Sequence, residues 1–156
     1  MNLPNYREIK VWSVIDMMKA VLYEIEKGCD LFVSSAAASD FLVDAETKKI
    51  KTAPELVLKL KESPKIIKEV RKIYSGPIIG FKAETGVGDE ELLRLAEEKM
   101  SLDRLNMVVA NDVLERGMGT EDTRVLILTQ KRQEWVEGLK QHVAERIVEV
   151  FIEDCL

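Results

Sequence analysis

Apolar residues recur in short runs between charged stretches, and their period switches repeatedly between two and three to four residues. Ile9 and Val11 alternate with polar neighbours, which predicts a short strand over Glu8 to Trp12. Ser13 stands where an N-cap belongs, with Asp16 three residues on. Ile15, Met18, Val21, Leu22 and Ile25 then follow a helical period until Gly28 stops it. Leu31 to Ser34 is nearly all apolar and reads as a strand covered on both faces. Phe41 to Ala53 is irregular and charged, with Lys48 to Lys51 extended. Leu56, Leu58 and Leu60 face opposite to Lys59 and Lys61, which favours strand over helix although Val57 breaks the alternation. Ser63-Pro64 starts a helix with proline at its first position, running to about Tyr74 with Ile66, Ile67, Val70 and Ile73 inward.

After the Gly76-Pro77 turn, Ile78 to Phe81 is a buried strand leading into Lys82-Ala83-Glu84-Thr85, which Gly86 and Gly88 break. A helix from about Asp89 to Met100 turns Leu92, Leu93, Leu95 and Ala96 to the core. Met107 to Ala110 is a strand ending at Asn111-Asp112. A loop with Gly117 and Gly119 precedes a strand at Val125 to Leu128, and a helix over roughly Gly138 to Phe151 closes the chain. Strands alternating with helices predict an α/β fold: a three-layer α/β/α arrangement around a mostly parallel, Rossmann-like sheet with right-handed crossovers. Such sheets hold ligands outside the carboxyl ends of their strands. Ser34 to Asp40, Phe81 to Thr85 and Asn111-Asp112 all follow strands in that sense.

Composition changes this picture in two respects. The length, 156 residues, suits one domain, and the balance of 46% hydrophobic to 33% charged residues is that of a globular chain. Net charge is −5, which argues against nucleic-acid binding. Yet Lys48 to Lys72 contains nine basic and three acidic residues, an island able to draw in a compact anion. A solvated helix face with Lys/Glu pairs accounts for at least half of those charges. Cys29 and Cys155 follow no metal-ligand spacing. No apolar run reaches the length of a membrane span, and the polar opening with Pro4 has no signal-peptide pattern. A cytoplasmic location, with no membrane partner, is expected.

The densest candidate chemistry is Ser34-Ser35-Ala36-Ala37-Ala38-Ser39-Asp40-Phe41, followed by Lys49-Ile50-Lys51. Small residues after a strand let backbone approach a ligand. In an extended segment Lys49 and Lys51 point the same way. A backbone-lined pocket with an acid and paired lysines suits a nucleotide; the same residues also read as strand, turn and solvated loop. Asp40 is by itself a cap or turn former, Lys82 and Glu84 can pair with each other, and His142 reads as a surface histidine. No G-x-G-x-x-G or Walker A loop points to a dinucleotide or kinase module.

Taken in order, Ser35 to Phe41, Lys49-Ile50-Lys51, Ser63-Pro64-Lys65-Ile66-Ile67, Ile79 to Thr85, Lys99, Val109 to Asp112 and the Gly-x-Gly-x-x-Asp-Thr run from Gly117 to Thr123 resemble the phosphopantothenoylcysteine synthetase (phosphopantothenate–cysteine ligase) family. The resemblance spans roughly Val11 to Leu128. It implies a ligase of coenzyme A biosynthesis that joins 4′-phosphopantothenate to cysteine through an acyl-nucleotidyl intermediate. It also implies CTP or ATP with Mg²⁺, and a homodimer. By the same resemblance Lys49 is the catalytic cation, with Lys51 as a weaker helper. Ser34, Ser35, Ala36, Asp40, Pro64, Lys65, Ile66, Ile67, Phe81 and Lys99 then bind the nucleotide, Lys99 at the phosphates.

Three departures stand out. Lys65 replaces a usual Asp, and Asp103 replaces a second phosphate lysine, with Arg104 adjacent as a substitute. The family's upstream Gly-Gly-Thr-type loop has no counterpart in Met1 to Val11. The alternative expectation is therefore a noncatalytic or truncated nucleotide-binding subunit, or one half of an enzyme completed by a separate chain.

Overall fold

Local signals place most of the elements. The computed structural model describes residues 6–43, 55, 57–114 and 119–156. The elements run α1 (Val14–Glu26), β1 (Phe32–Ser34), β2 (Phe41–Val43), β3 (Leu60–Glu62), α2 (Ile66–Ile73), β4 (Ile78–Glu84), α3 (Asp89–Leu102), β5 (Met107–Asp112), β6 (Asp122–Thr129), β7 (Gln133–Leu139) and α4 (Lys140–Cys155). The chain, expected as one domain, divides into two compact units. One is Met1–Gly28 with Ala37–Ile73; the other is Cys29–Ala36 with Tyr74–Leu156.

In the first unit Ser13 caps α1: its Oγ accepts from Asp16 N–H at 3.1 Å and its hydroxyl donates to the Asp16 carboxylate at 2.8 Å. Gly28, at φ +113°, ends the helix in a conformation that costs glycine nothing. α1 packs against α2, and their most buried side chains are Ile25 and Val70. β2 and β3 form an antiparallel ribbon with Phe41 opposite Glu62 and Val43 opposite Leu60.

The second unit is built on a five-stranded sheet of order β1-β4-β5-β6-β7. β1, β4 and β5 are parallel, whereas β6 and β7 return antiparallel. Side chains alternate across the sheet. Ile79, Met107, Val109, Val125 and Ile127 meet Val143, Ile147, Val150 and Phe151 of α4, spaced to line one helical face. The other residues of the same strands, Ile78, Val108, Ala110 and Leu126, are fully buried too, and α3 packs on β4, β5 and β6 with Leu92 and Ala96 buried. The core therefore sits in two layers, one under each helix. Gly80 shows how tightly the second layer is filled: a Cβ built there would lie 2.5 Å from Leu105 Cδ1. Arg146 grips Glu134 through Nε at 2.7 Å and Nη2 at 2.8 Å, tying α4 to β7.

Several expectations are corrected. Glu8 to Trp12 forms no strand, and Trp12 is 93% exposed; alternation alone does not hold a strand that has no partner. Among the described residues β1 is an edge strand paired with β4 alone, and it is not covered on both faces, since Val33 is exposed. Phe41 to Val43 is strand, not irregular chain. β7 was not expected at all. The Thr129 N–H to Arg132 carbonyl bond (2.9 Å) closes a turn that folds β7 back on β6, so α4 begins at Lys140, just past Gly138. Ile73, expected inward, is half exposed. Among the described residues no helix is long and apolar enough to cross a membrane.

Candidate functional site

Because β1, β4 and β5 are parallel and adjacent, their carboxyl ends share one edge of the second unit. Ser34 closes β1 opposite Gly80, and Ser35 and Ala36 continue from it, exposed. Phe81 follows Gly80 in β4, half-buried and in register with Val109. The structure thus brings Ser34, Ser35, Ala36 and Phe81 to one edge. Further along β4, Lys82 and Glu84 point the same way and form an ion pair.

Asp112 ends β5 at the same edge and gives it shape. Its carboxylate accepts from Val87 N–H at 2.7 Å and Leu114 N–H at 2.9 Å. Val113 N–H meanwhile donates to the Glu84 carbonyl at 2.9 Å. The backbone N–H groups of Leu114 and Gly86, each favouring the anion, hold the Asp112 carboxyl below its ordinary value against the cost of burial. One carboxylate therefore fixes the turns after β4 and after β5. Its role is to hold the edge in form.

Lys99 is not brought to this edge. α3 starts after Gly88 and runs back along the parallel strands, so Lys99 lies eleven residues on, about 16 Å along the helix axis. Its ammonium is paired with Asp103 at 2.8 Å, the two side chains only 20% and 14% exposed. Arg104 next to it occupies the left-handed region at φ 51°. It is the C′ residue of a Schellman turn, with Leu105 N–H on the Met100 carbonyl (2.9 Å) and Arg104 N–H on the Ser101 carbonyl (3.3 Å). Arg104 lines a cavity of about 570 Å³ with Glu97, Asn106 and Thr129, where β5 begins and β6 ends.

The first unit gathers a second set of the expected residues. Asp40 and Lys65, 25 positions apart, form an ion pair, and Ser63 N–H donates to the Asp40 carbonyl at 2.8 Å. The Lys65 that departs from the family pattern is thus the partner of Asp40. Pro64, Lys65, Ile66 and Ile67 lead into α2, whose first backbone N–H groups have no carbonyl to bond within the helix. A cavity of about 350 Å³ opens there, lined by Glu62, Ser63, Pro64, Lys65, Lys68 and Glu69. Sequence reasoning passed over Ser63, which is 3% exposed with its Oγ unpartnered; a serine before proline carries no signal of that kind. Lys49 and Lys51 lie outside the described residues. Among those described, no group of three or more His, Cys, Asp or Glu side chains is placed to hold a metal ion.

Comparison with known proteins adds the following. The model of the DNA/pantothenate metabolism flavoprotein C-terminal domain matches residues 2–154. The coenzyme A biosynthesis bifunctional protein CoaBC of Methanocaldococcus jannaschii is 40% identical over 141 residues, covering 90% of this chain and 35% of that protein. The chain spans little more than a third of the length of such relatives. A solved C-terminal domain of a CoaBC protein superposes with TM-score 0.67 at 25% identity, over 94% of this chain and 66% of the other. The DNA/pantothenate metabolism flavoprotein of Streptococcus pneumoniae shares the fold, with TM-score 0.77 at 20% identity over 92% of this chain and 71% of that one.

Proposed function

The chain belongs to the DNA/pantothenate metabolism flavoprotein C-terminal domain family, and on that premise we propose that it carries the ligase step of coenzyme A biosynthesis, joining 4′-phosphopantothenate to cysteine with a nucleoside triphosphate as activator. The observation that supports this best is the shared carboxyl edge of β1, β4 and β5, where Ser34 to Ala36 and Phe81 stand together. Exposed small residues let backbone N–H groups face a nucleotide, and Phe81 supplies an apolar wall.

The reaction has two steps. A carboxylate oxygen of 4′-phosphopantothenate attacks the α-phosphorus, the bond to the bridging oxygen breaks, and pyrophosphate leaves. The amine of cysteine then attacks the acyl carbon, nucleoside monophosphate departs with the bonding pair, and the amine proton passes to solvent. The first step brings two anions together, so a preorganised cation lowers its barrier. Lys49 fills that role by resemblance. Mg²⁺ would neutralise phosphate charge, held through triphosphate oxygens and water. CTP or ATP as the nucleotide, a homodimer and a cytoplasmic location belong to the same proposal.

A second reading, a nucleotide-binding subunit without turnover of its own, is favoured by one observation. Lys99, expected at the phosphates, is engaged by Asp103 instead. Calorimetric titration with CTP and then ATP, followed by an assay of pyrophosphate release and product mass, tests both. Nucleotide binding with multiple-turnover synthesis by this chain supports the first reading and sinks the second. Binding without synthesis does the reverse, and absence of binding refutes both.

A further inference from the structure

The carboxyl edge of β1, β4 and β5 is rich in carboxylates, an unfavourable setting for an anion. Glu84 ends β4, Asp112 ends β5, and α3 opens beside them with Asp89, Glu90 and Glu91. Most of this charge is offset locally. Lys82 pairs with Glu84, the N–H groups of Val87 and Leu114 bond Asp112, and Arg94 grips Glu91 through Nε and Nη2, each at 2.8 Å. Asp89 is answered from a different element, 35 positions on. Arg124 of β6 donates from Nη1 and Nη2 to its two oxygens at 2.8 and 2.7 Å.

The surroundings of Arg124 prepare it for this grip. Leu126 and Trp135 are cross-strand partners in β6 and β7, and Arg124 stands two residues before Leu126, so all three side chains share the sheet face that α3 covers. The guanidinium lies over the Trp135 ring, 3.9 Å from its centroid. A planar group already stacked on a ring loses little freedom when it takes a carboxylate with both prongs. The Arg124 and Asp89 side chains are 29% and 55% exposed, and a pair so open to water adds little to stability. Its effect on charge is larger. Hydrogen bonds from Arg124 hold the Asp89 carboxyl below its ordinary value against the cost of desolvation, so the carboxylate is ionised at neutral pH. Without Arg124 that charge would stand unmasked at the first residue of α3.

We propose that Arg124 is a positioning residue of the carboxyl-edge site: through its grip on Asp89 it masks a carboxylate that would otherwise repel a polyphosphate approaching that edge. The inference rests on the nucleotide reading of the edge and deepens it. Arg124 touches no ligand and acts through Asp89 alone.

The test titrates CTP and ATP into the full chain and its variants by calorimetry. Arg124→Met keeps a stem over Trp135 and removes the charge. Its affinity should fall about three- to tenfold, the scale of one like charge beside a multiply charged anion in water. The loss should shrink in about 1 M salt, where the Debye length is about 3 Å. Arg124→Lys retains a cation next to Asp89 and should bind nearly as well as wild type. Asp89→Asn removes the charge that needs masking, so its affinity should equal or exceed that of wild type, and it should cancel the loss when combined with Arg124→Met. A purely structural pair predicts the reverse, with Asp89→Asn weakening binding as much as Arg124→Met and the double variant no better. That pattern would overturn the proposal, as would an Arg124→Met chain with wild-type affinity. Urea midpoints measured on each variant separate lost affinity from lost folding, and Arg124→Gln carries the same comparison where Arg124→Met folds poorly. A wild type that binds neither nucleotide refutes the nucleotide reading and this inference with it; a wild type that binds, with Arg124→Met equal to it, refutes this inference alone.

Discussion

Gly80 is a position within the sheet at which the fold leaves little room, and substituting it tests how the sheet edge is supported. Gly80 pairs with Ser34 on one side and Val108 on the other, and it directly precedes Phe81. A Cβ there would stand 2.5 Å from Cδ1 and 3.5 Å from Cδ2 of Leu105, itself 4% exposed. The first distance is more than an ångström inside ordinary carbon–carbon contact. Leu105 must leave its rotamer or the strand must shift, so Gly80→Ala should cost about 1–3 kcal/mol, the usual scale of overpacking. Leu105→Ala alone should cost about 2–5 kcal/mol through its cavity. In the double variant the new methyl occupies space that Leu105 has vacated, so the costs should not add. We expect a favourable coupling of about 1–3 kcal/mol, far beyond the roughly 0.3–0.5 kcal/mol within which independent sites add. Urea denaturation of the four proteins, read by circular dichroism and by tryptophan fluorescence, gives the cycle. Additive costs would refute the claim that Leu105 is what Gly80 makes room for.

Arg104 sits where a Schellman turn favours glycine. Arg104→Gly should therefore exceed Arg104→Ala in stability by about 1 kcal/mol, the αL penalty less glycine's entropy, seen as a higher urea midpoint; equal midpoints would count against the strain. Asp112 has a depressed pKa, so its contribution is fully present above the unfolded value near 4 and is lost as pH falls through the lower folded one. Melting temperatures from pH 2.5 to 7 should show Asp112→Asn destabilised at neutral pH, with the gap to wild type closing in acid; a constant gap would assign the loss to packing. Lys49→Ala, argued from the family resemblance, should lower turnover by roughly 10²–10³-fold with a smaller effect on nucleotide affinity. Unchanged turnover would remove Lys49 from the mechanism.

What could be read along the chain is what local physics fixes. Ser13 with Asp16, Pro64 before α2, and the apolar runs at Ile78 and Met107 each specify their element within a few residues. Parallel strands then place Ser34 to Ala36 and Phe81 on one edge almost automatically. Apart from β7, which pairs with its chain neighbour β6, the misses depend on partners distant in sequence. β7 hides behind Glu134, Glu137 and its neighbours, which look like a solvated face; the structure shows Glu134 occupied by Arg146 and by Arg132, which approaches to 3.2 Å. β2 and β3 are three residues each and pair across a long intervening segment. Asp40 and Lys65 meet over 25 positions. Ser63 is notable only because nothing satisfies it, a property of the folded chain and not of any motif.

The departures from the family pattern also bear on how a triphosphate could be held. Two of the cations assigned to it are engaged in the ligand-free chain, but unequally. The Lys65 and Asp40 side chains are 44% and 71% exposed, and an ion pair so open to water contributes about 0–1 kcal/mol. A phosphate can take Lys65 from Asp40 at little cost, since water solvates the released carboxylate. The Lys99 and Asp103 side chains are 20% and 14% exposed, so separating them leaves Asp103 without a partner where water reaches it poorly, and such a loss is penalised more heavily. Exposure therefore makes the Lys65–Asp40 pair cheaper to separate than the Lys99–Asp103 pair. In the ligand-free chain the Lys99–Asp103 pair braces the last turn of α3.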